Sequence, residues 1–353
     1  MVKYCNAIML QILGVFVSSV LLSTNALPRC QFTGEGSSDL ICTPDSTDFI
    51  LDNGIVSDNP NARSISLRGC RVAGIEMNSF NNLPSLESLD LSQNKLVAVK
   101  LGALDGFQQL KSLNLSYNQI TGFEFGLFDQ KPNLEVLDLS GNKITNLQLG
   151  VLDGFRQLKV LNLSDNHLTD FSLGLFDQKP NLEYLILSRN RINNLELGVF
   201  DGLTKLKHID ISNNPIQGKN ISPYMFDRSP SIEYMDISSI NMEETPQNML
   251  HAFRALRFLS LHNCSLTEVP EFATEQNLNT MTHLVLSRNK ISSITNLNTF
   301  VRLINLEVLN LADNTLESIV DGVFDPLAKL REVVLSRNRL QKVPQVPKGV
   351  NVF

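Results

Sequence analysis

Apolar residues recur along most of the chain in a fixed frame. From Leu86 to Leu96 the sequence reads Leu-Glu-Ser-Leu-Asp-Leu-Ser-Gln-Asn-Lys-Leu, the pattern LxxLxLxxNxL. The same frame returns with its asparagine at 118, 142, 166, 190, 214, 289, 314 and 338, and with Cys70, Ile240 and Cys264 in the asparagine's place. From 70 to 338 the spacing is 24 residues six times, then 26, 24, 25, 25 and 24. A longer period lies on top: residues 101–148 align without gaps onto 149–196 with 33 identities in 48 positions. In the central LxL the side chains alternate between two faces, which predicts a short strand with leucines inward and the intervening residues outward. One such unit cannot bury its own apolar side, so twelve of them are expected to stack around one continuous core. Parallel strands about 4.8 Å apart then predict a wall roughly 50 Å long. The asparagine turns the chain away from the strand, and its buried amide is expected to bond backbone groups of the adjacent coil. Losing such a buried partner costs about 1–3 kcal/mol. Ten residues beyond this position stand Phe80, Phe128, Phe176, Phe200 and Phe324, which predicts a second packing column on the outer side.

This repeat resembles the 24-residue type of extracellular leucine-rich repeat, over about residues 62–340. The resemblance implies an α/β repeat solenoid: a right-handed leucine-rich repeat horseshoe with a parallel β-sheet on the concave face and a mostly irregular or short-helical convex side. Similar repeats build animal Toll-type receptor ectodomains, cell-adhesion repeat proteins and secreted leucine-rich immune proteins of insects. That implies binding of a protein partner in immunity, adhesion or receptor signalling. Toll-type receptors also carry a membrane span and a cytoplasmic signalling domain, and the insect proteins often add a coiled-coil tail. The sequence shows no counterpart of these, so a soluble co-receptor, decoy or complex subunit is expected.

The ends add context. Residues 1–26 read as a secretory signal: Lys3 is the only charge, an apolar stretch runs from about Ala7 to Leu22, and Thr24-Asn25-Ala26 supplies small residues before the cut. A retained anchor is the rival reading, but the apolar stretch is shorter than the ~20 residues of a spanning helix. Cleavage leaves an extracellular chain with no membrane span. Residues 27–61 then form a cap in which Cys30 and Cys42 flank a Gly/Ser-rich loop. A disulfide there, in an oxidising compartment, restricts the unfolded chain by about 3 kcal/mol. A zinc site is the alternative, without a CxxC pair or a nearby histidine to support it. Residues 341–353 are a tail or an incomplete last repeat, and the exposed edge after the last unit has three open solutions: a strand from Val350 to Phe353, a partner chain, or further sequence. Cys70 and Cys264 are eight repeats apart, about 38 Å by strand spacing, and cannot bridge. Buried thiols are expected at both, with an intermolecular disulfide through Cys264 as the alternative.

Composition narrows the function. Lys plus Arg number 30 against 36 Asp plus Glu, a net charge of −6, which argues against a nucleic-acid binder. There is no Trp and there are five Tyr, but 19 Phe, as expected for rings used in packing. No GxxxxGK[ST], GxSxG or HExxH occurs, and the five histidines are dispersed. Neither catalysis, nor a cofactor, nor a metal is expected. The informative positions face out from the strands. The third residue of successive units is Tyr184, His208, Tyr234, Phe258 and His283, a column of rings about 20 Å long by strand spacing. Two positions on, Asp210 and Asp236 stand beside it. Rings edged by carboxylates suit an extracellular or cell-surface protein partner. The alternative is that the rings pack across strands for stability alone, at about 0.2–1 kcal/mol per pair. At the second position Glu87, Lys111, Glu135, Lys159, Glu183, Lys207 and Glu233 alternate in sign, which is expected to hold register. The 26-residue step predicts an outer bulge around Gln217 to Pro223.

Asn114, Asn162, Asn220 and Asn263 head N-x-Ser sequons. Asn220 is the favoured glycan site because it falls in the outer bulge. Glycans on Asn114 and Asn162 would obstruct the N-terminal part of the wall and leave the ring column open. A homo- or hetero-dimer stays open, as do a matrix-adhesion role and recognition of a microbial glycan or lipid.

Overall fold

Strands of three residues, one per repeat, form the spine of the fold. The computed structural model describes residues 30–32, 39–42, 48–52 and 60–353, apart from 81, 130, 178, 223, 245–248 and 272–276. The expected signal and most of the cap lie outside the described residues. The twelve predicted wall strands run from Ser64–Ser66 to Glu332–Val334, and all pair in parallel, each residue with its equivalent in the next repeat. Three further strands extend this sheet to fifteen. At the start, Asp39–Cys42 lies parallel to Ser64–Ser66 and antiparallel to Cys30–Phe32. At the end, Asn351–Val352 pairs in parallel with Glu332–Val334. Among the described residues, the side away from the sheet is turns, two short 3-10 segments and two small two-stranded sheets.

In many repeats the side chain at the fifth position closes a turn at the strand end. Asp90, Asn114, Asp138, Asn162, Asp210 and Asp236 each accept the backbone N–H two residues on. Three residues beyond, every repeat from Gly69 to Arg337 places one residue at positive φ, and ten of these twelve are not glycine. Such a conformation costs about 1–2 kcal/mol for an L-residue. It is held because the N–H there donates to the next coil, as Tyr117 does to the Ser140 carbonyl at 2.7 Å.

The asparagine ladder fixes the same corner. Asn166 Oδ1 accepts the Ile144 N–H at 3.0 Å, while Nδ2 donates to the carbonyls of Leu139, Leu163 and Ser164 at 2.9, 3.1 and 3.2 Å. Asn94, Asn118, Asn142, Asn190 and Asn214 repeat this arrangement. One side chain thereby joins two coils. Cys264 keeps only part of it: its thiol donates to the Ile237 carbonyl at 3.3 Å.

The second column is fuller than the five phenylalanines predicted. Phe107, Phe155, Phe226, Phe253 and Phe300 are also buried in it, and neighbouring rings sit 5.0–6.1 Å apart. Where Phe107 and Phe155 stand in their repeats, the repeats between and after them carry Lys131 and Lys179. These lysines are buried, their stems completing the apolar column. At Gly154 the backbone passes so close to the previous coil that an added Cβ would lie 2.1 Å from the Phe128 carbonyl oxygen. Gly202 meets Phe176 in the same way, at 2.4 Å. Glycine is required at both by contact.

Candidate functional site

The five predicted rings form one continuous ladder on the outward face of the sheet. Ring centroids are 5.7 Å apart for Tyr184–His208, 4.0 Å for His208–Tyr234, 4.3 Å for Tyr234–Phe258 and 6.2 Å for Phe258–His283. The central three are stacked, with interplanar angles of 8° and 5°. The register explains this: Tyr184, His208, Tyr234, Phe258 and His283 are directly opposed on successive parallel strands. Stacking occupies faces of His208, Tyr234 and Phe258, so what the centre of the ladder turns to solvent is ring edges, while Tyr184 and His283 are tilted by 32° against their neighbours. Edges carry the positive end of the ring quadrupole and meet apolar or acceptor groups.

The ladder is unevenly exposed. Tyr184, Tyr234, Phe258 and His283 are half-buried, whereas His208 is only 5% exposed between its two tyrosines. His208 Nε2 has no hydrogen-bond partner among the described residues. Burial holds the imidazole pKa down at about 4, so the ring is neutral at physiological pH. His208 is thus the packed centre of the ladder, and contact with a partner falls to its neighbours. His283 is anchored at Nδ1 by the Thr282 hydroxyl at 2.9 Å.

Asp210 and Asp236 are adjacent across two strands and half-buried. The pKa of Asp236 is raised to about 6, first by burial and then by the charge of Asp210, against hydrogen bonds from Ser238. Among the described residues, no Lys, Arg or His lies within ion-pair distance of either carboxylate. The second-position charges behave otherwise. Lys111, Lys159 and Lys207 each bind the glutamate one repeat earlier at 2.8 Å, and Arg257 reaches Glu233 at 3.5 Å. These pairs are exposed and link neighbouring strands, in keeping with the expected part in register.

The other predicted residues separate. Cys30 and Cys42 are directly opposed in their antiparallel pair, and the rest of the cap lies outside the described residues. Cys70 and Cys264 are buried thiols whose pKa values burial pushes up to about 11 and about 12. Neither is poised to ionise or to bridge another chain. Asn220 is exposed and ends a short 3-10 segment, Gly218–Asn220, where the 26-residue step predicted a bulge. Asn263 is also exposed, at positive φ. Asn114 and Asn162 are half-buried, and each accepts both the amide and the hydroxyl of its own sequon serine. Among the described residues, no group of three or more His, Cys, Asp or Glu could hold a metal ion, and no helix is long and apolar enough to cross a membrane.

Residues 60–120, 108–168, 132–192, 180–242 and 280–340 each match the model of the leucine rich repeat. The chain belongs to the leucine-rich repeat family. Its fold is shared with Toll in a complex with Spatzle from Drosophila (TM-score 0.69, 24% identity, 80% of this chain and 37% of that one). It is shared with TLR13 in a complex with single-stranded RNA (0.61, 24%, 80% and 48%). A third similar structure is an octameric complex of Latrophilin 3, Unc5D and FLRT2 (0.64, 20%, 92% and 91%). This leucine-rich repeat chain spans about half the length of the TLR13 chain and less of Toll.

Proposed function

We propose that this leucine-rich repeat protein is a secreted recognition module that binds a protein partner through the sheet face between Tyr184 and His283. The observation that carries the reading is the ladder of ring edges beside two carboxylates that no cation of the described chain neutralises. Rings locked by stacking lose little further entropy when a partner covers them, which favours aromatic residues at interfaces. Asp210 and Asp236 supply the polar margin and favour a partner with Lys or Arg there. The Toll–Spatzle structure is a precedent on this fold for a role in immunity or receptor signalling. Glycans on Asn220 and Asn263 fit this use of the sheet, since both are exposed, whereas Asn114 and Asn162 are tied into strand-end turns.

The test is capture of partners from secreted fluid with the intact chain, then titration of the captured protein with Tyr184→Ala/Tyr234→Ala. Loss of tenfold or more in affinity, with an unchanged melting temperature, supports the assignment. Unchanged affinity removes it and leaves the ladder a packing device.

A further inference from the structure

A second surface lies on the opposite end of the solenoid, outside the sheet. Seven residues after the asparagine position, six consecutive repeats carry Met77, Leu101, Phe125, Leu149, Leu173 and Leu197, each 47–64% exposed. They are in register, because each repeat here is 24 residues long. The side chains also lean on one another's coils. Met77, Leu101, Phe125 and Leu149 each reach to within 2.9–3.8 Å of where a Cβ would stand on the glycine of the following repeat. Those glycines, Gly102, Gly126, Gly150 and Gly174, have φ between +84 and +87°, so the backbone conformation also favours glycine there. The result is one ridge, about 24 Å long by strand spacing. Six half-exposed large side chains present on the order of 500 Å² of apolar surface. A patch of that size is about the largest that a soluble chain typically exposes, and such patches are often functional.

Charge selects the occupant. Glu76, Glu124 and Glu196 directly precede ridge residues, and an aspartate follows four residues after each ridge residue from Asp105 to Asp201. Against these eight carboxylates stand Lys100, held by Glu76 at 2.6 Å, Arg228, held by Asp201 at 3.2 Å, and the buried Lys131 and Lys179. The margins stay acidic. Two copies of the chain meeting ridge to ridge would oppose like charges, and an anionic membrane would be repelled. A helix turns every 5.4 Å, close to the repeat spacing, and 24 Å is the length of about 16 helical residues. We propose that this ridge is a docking face for a basic amphipathic protein segment, its apolar stripe on the six side chains and its Lys or Arg residues on the acidic margins. The face is distinct from the ring ladder and stands whether or not the ladder binds.

The experiment uses the full chain and a labelled 18-residue Leu/Lys peptide patterned as an amphipathic helix, read by fluorescence anisotropy. Controls are a scrambled peptide of the same composition and a Leu/Glu peptide of the same pattern. Leu101→Gln/Phe125→Gln/Leu149→Gln is expected to weaken Leu/Lys binding at least tenfold without lowering the melting temperature. Val343→Gln, at an exposed position elsewhere, is expected to leave it unchanged. Both control peptides should bind at least tenfold more weakly than the Leu/Lys peptide. Equal binding by the triple variant, or by either control peptide, overturns the proposal. So does sedimentation of the parent chain as a dimer that the triple substitution makes monomeric, which assigns the ridge to a second copy. Binding to phosphatidylserine vesicles that the triple substitution abolishes overturns it in favour of a lipid surface.

Discussion

His208→Phe isolates what holds the ladder together. In the native chain the imidazole is buried between Tyr184 and Tyr234 with Nε2 unpartnered. Its pKa is about 4, against 6.5 for the free side chain. A base whose folded pKa is lowered leaves stability intact above 6.5 and loses it as pH falls toward 4. Between pH 7.5 and 5.0 the linkage amounts to about 2 kcal/mol lost. Asp236 acts in the opposite sense, since its folded pKa near 6 lies above the ordinary 3.8. Its charged form costs stability above pH 6, and acidification over the same range restores about 1.4 kcal/mol. The parent chain therefore shows only a small net change from these two groups, and the variant is what separates them. Phenylalanine keeps the stack, removes the orphaned nitrogen and cannot titrate. Urea unfolding of both proteins at pH 7.5 and 5.0 gives the double difference, expected to be about 2 kcal/mol in the variant's favour at the lower pH. At pH 7.5 alone the variant should already be more stable by about 1 kcal/mol, through loss of an unsatisfied buried group. Parallel pH dependences for the two proteins would refute the buried, neutral imidazole.

Two further outcomes follow from the packing. Asn166→Ala leaves the Ile144 N–H without its partner and removes one of the two donors to the Leu139 carbonyl, which Asn142 Nδ2 still reaches, at about 1–3 kcal/mol. Asn166→Cys should cost less because a thiol can still donate to that carbonyl as Cys264 does to Ile237. Denaturant midpoints of the two variants check the order, and equal losses would count against the bridging role. Lys179→Met keeps the stem in the column and removes an ammonium that lies 3.7 Å from Asp153 and has no hydrogen bond among the described residues, so a gain of about 1–2 kcal/mol is expected. A lower melting temperature for Lys179→Met would show that the ammonium is stabilising where it stands.

The frame of the fold was legible because each buried position repeats the same residue type: LxL places the strands, the asparagine places the corner, and phenylalanine marks the outer column. Parallel register followed from the recurring LxxLxLxxNxL frame, which keeps Tyr184 through His283 aligned although the steps between them are 24, 26, 24 and 25 residues. Other features were hidden for identifiable reasons. The positive-φ position holds Gln93, Tyr117, Asp165, Arg189 and Asn213 among others, so no residue preference announces it. Hydrogen bonds to the next coil impose that conformation over local preference. Lys131 and Lys179 have the wrong polarity for a column position, and only their alternation with Phe107 and Phe155 in the 48-residue period points to the core. The burial of His208 depends on the side chains either side of it rather than on its own identity. The ridge from Met77 to Leu197 is periodic in the sequence, but the same leucines would look like core until the coil shows which way they face.

The two candidate surfaces follow from one property of stacked coils. A repeat must commit its leucines, its asparagine and its outer phenylalanine to packing, and its remaining positions touch mainly the adjacent repeats. Selection at such a position therefore builds a row without disturbing the core beneath it. The ring ladder uses the third position of five repeats, and the apolar ridge uses the sixteenth position of six, five of them outside the ladder and the last, with Leu197, shared with Tyr184. Along a chain with nearest-neighbour coupling, occupying one row changes little at the other beyond a repeat or two. A leucine-rich repeat chain of this length thus has room to hold two partners at once, one on the sheet and one off it, with the solenoid itself setting the distance between them.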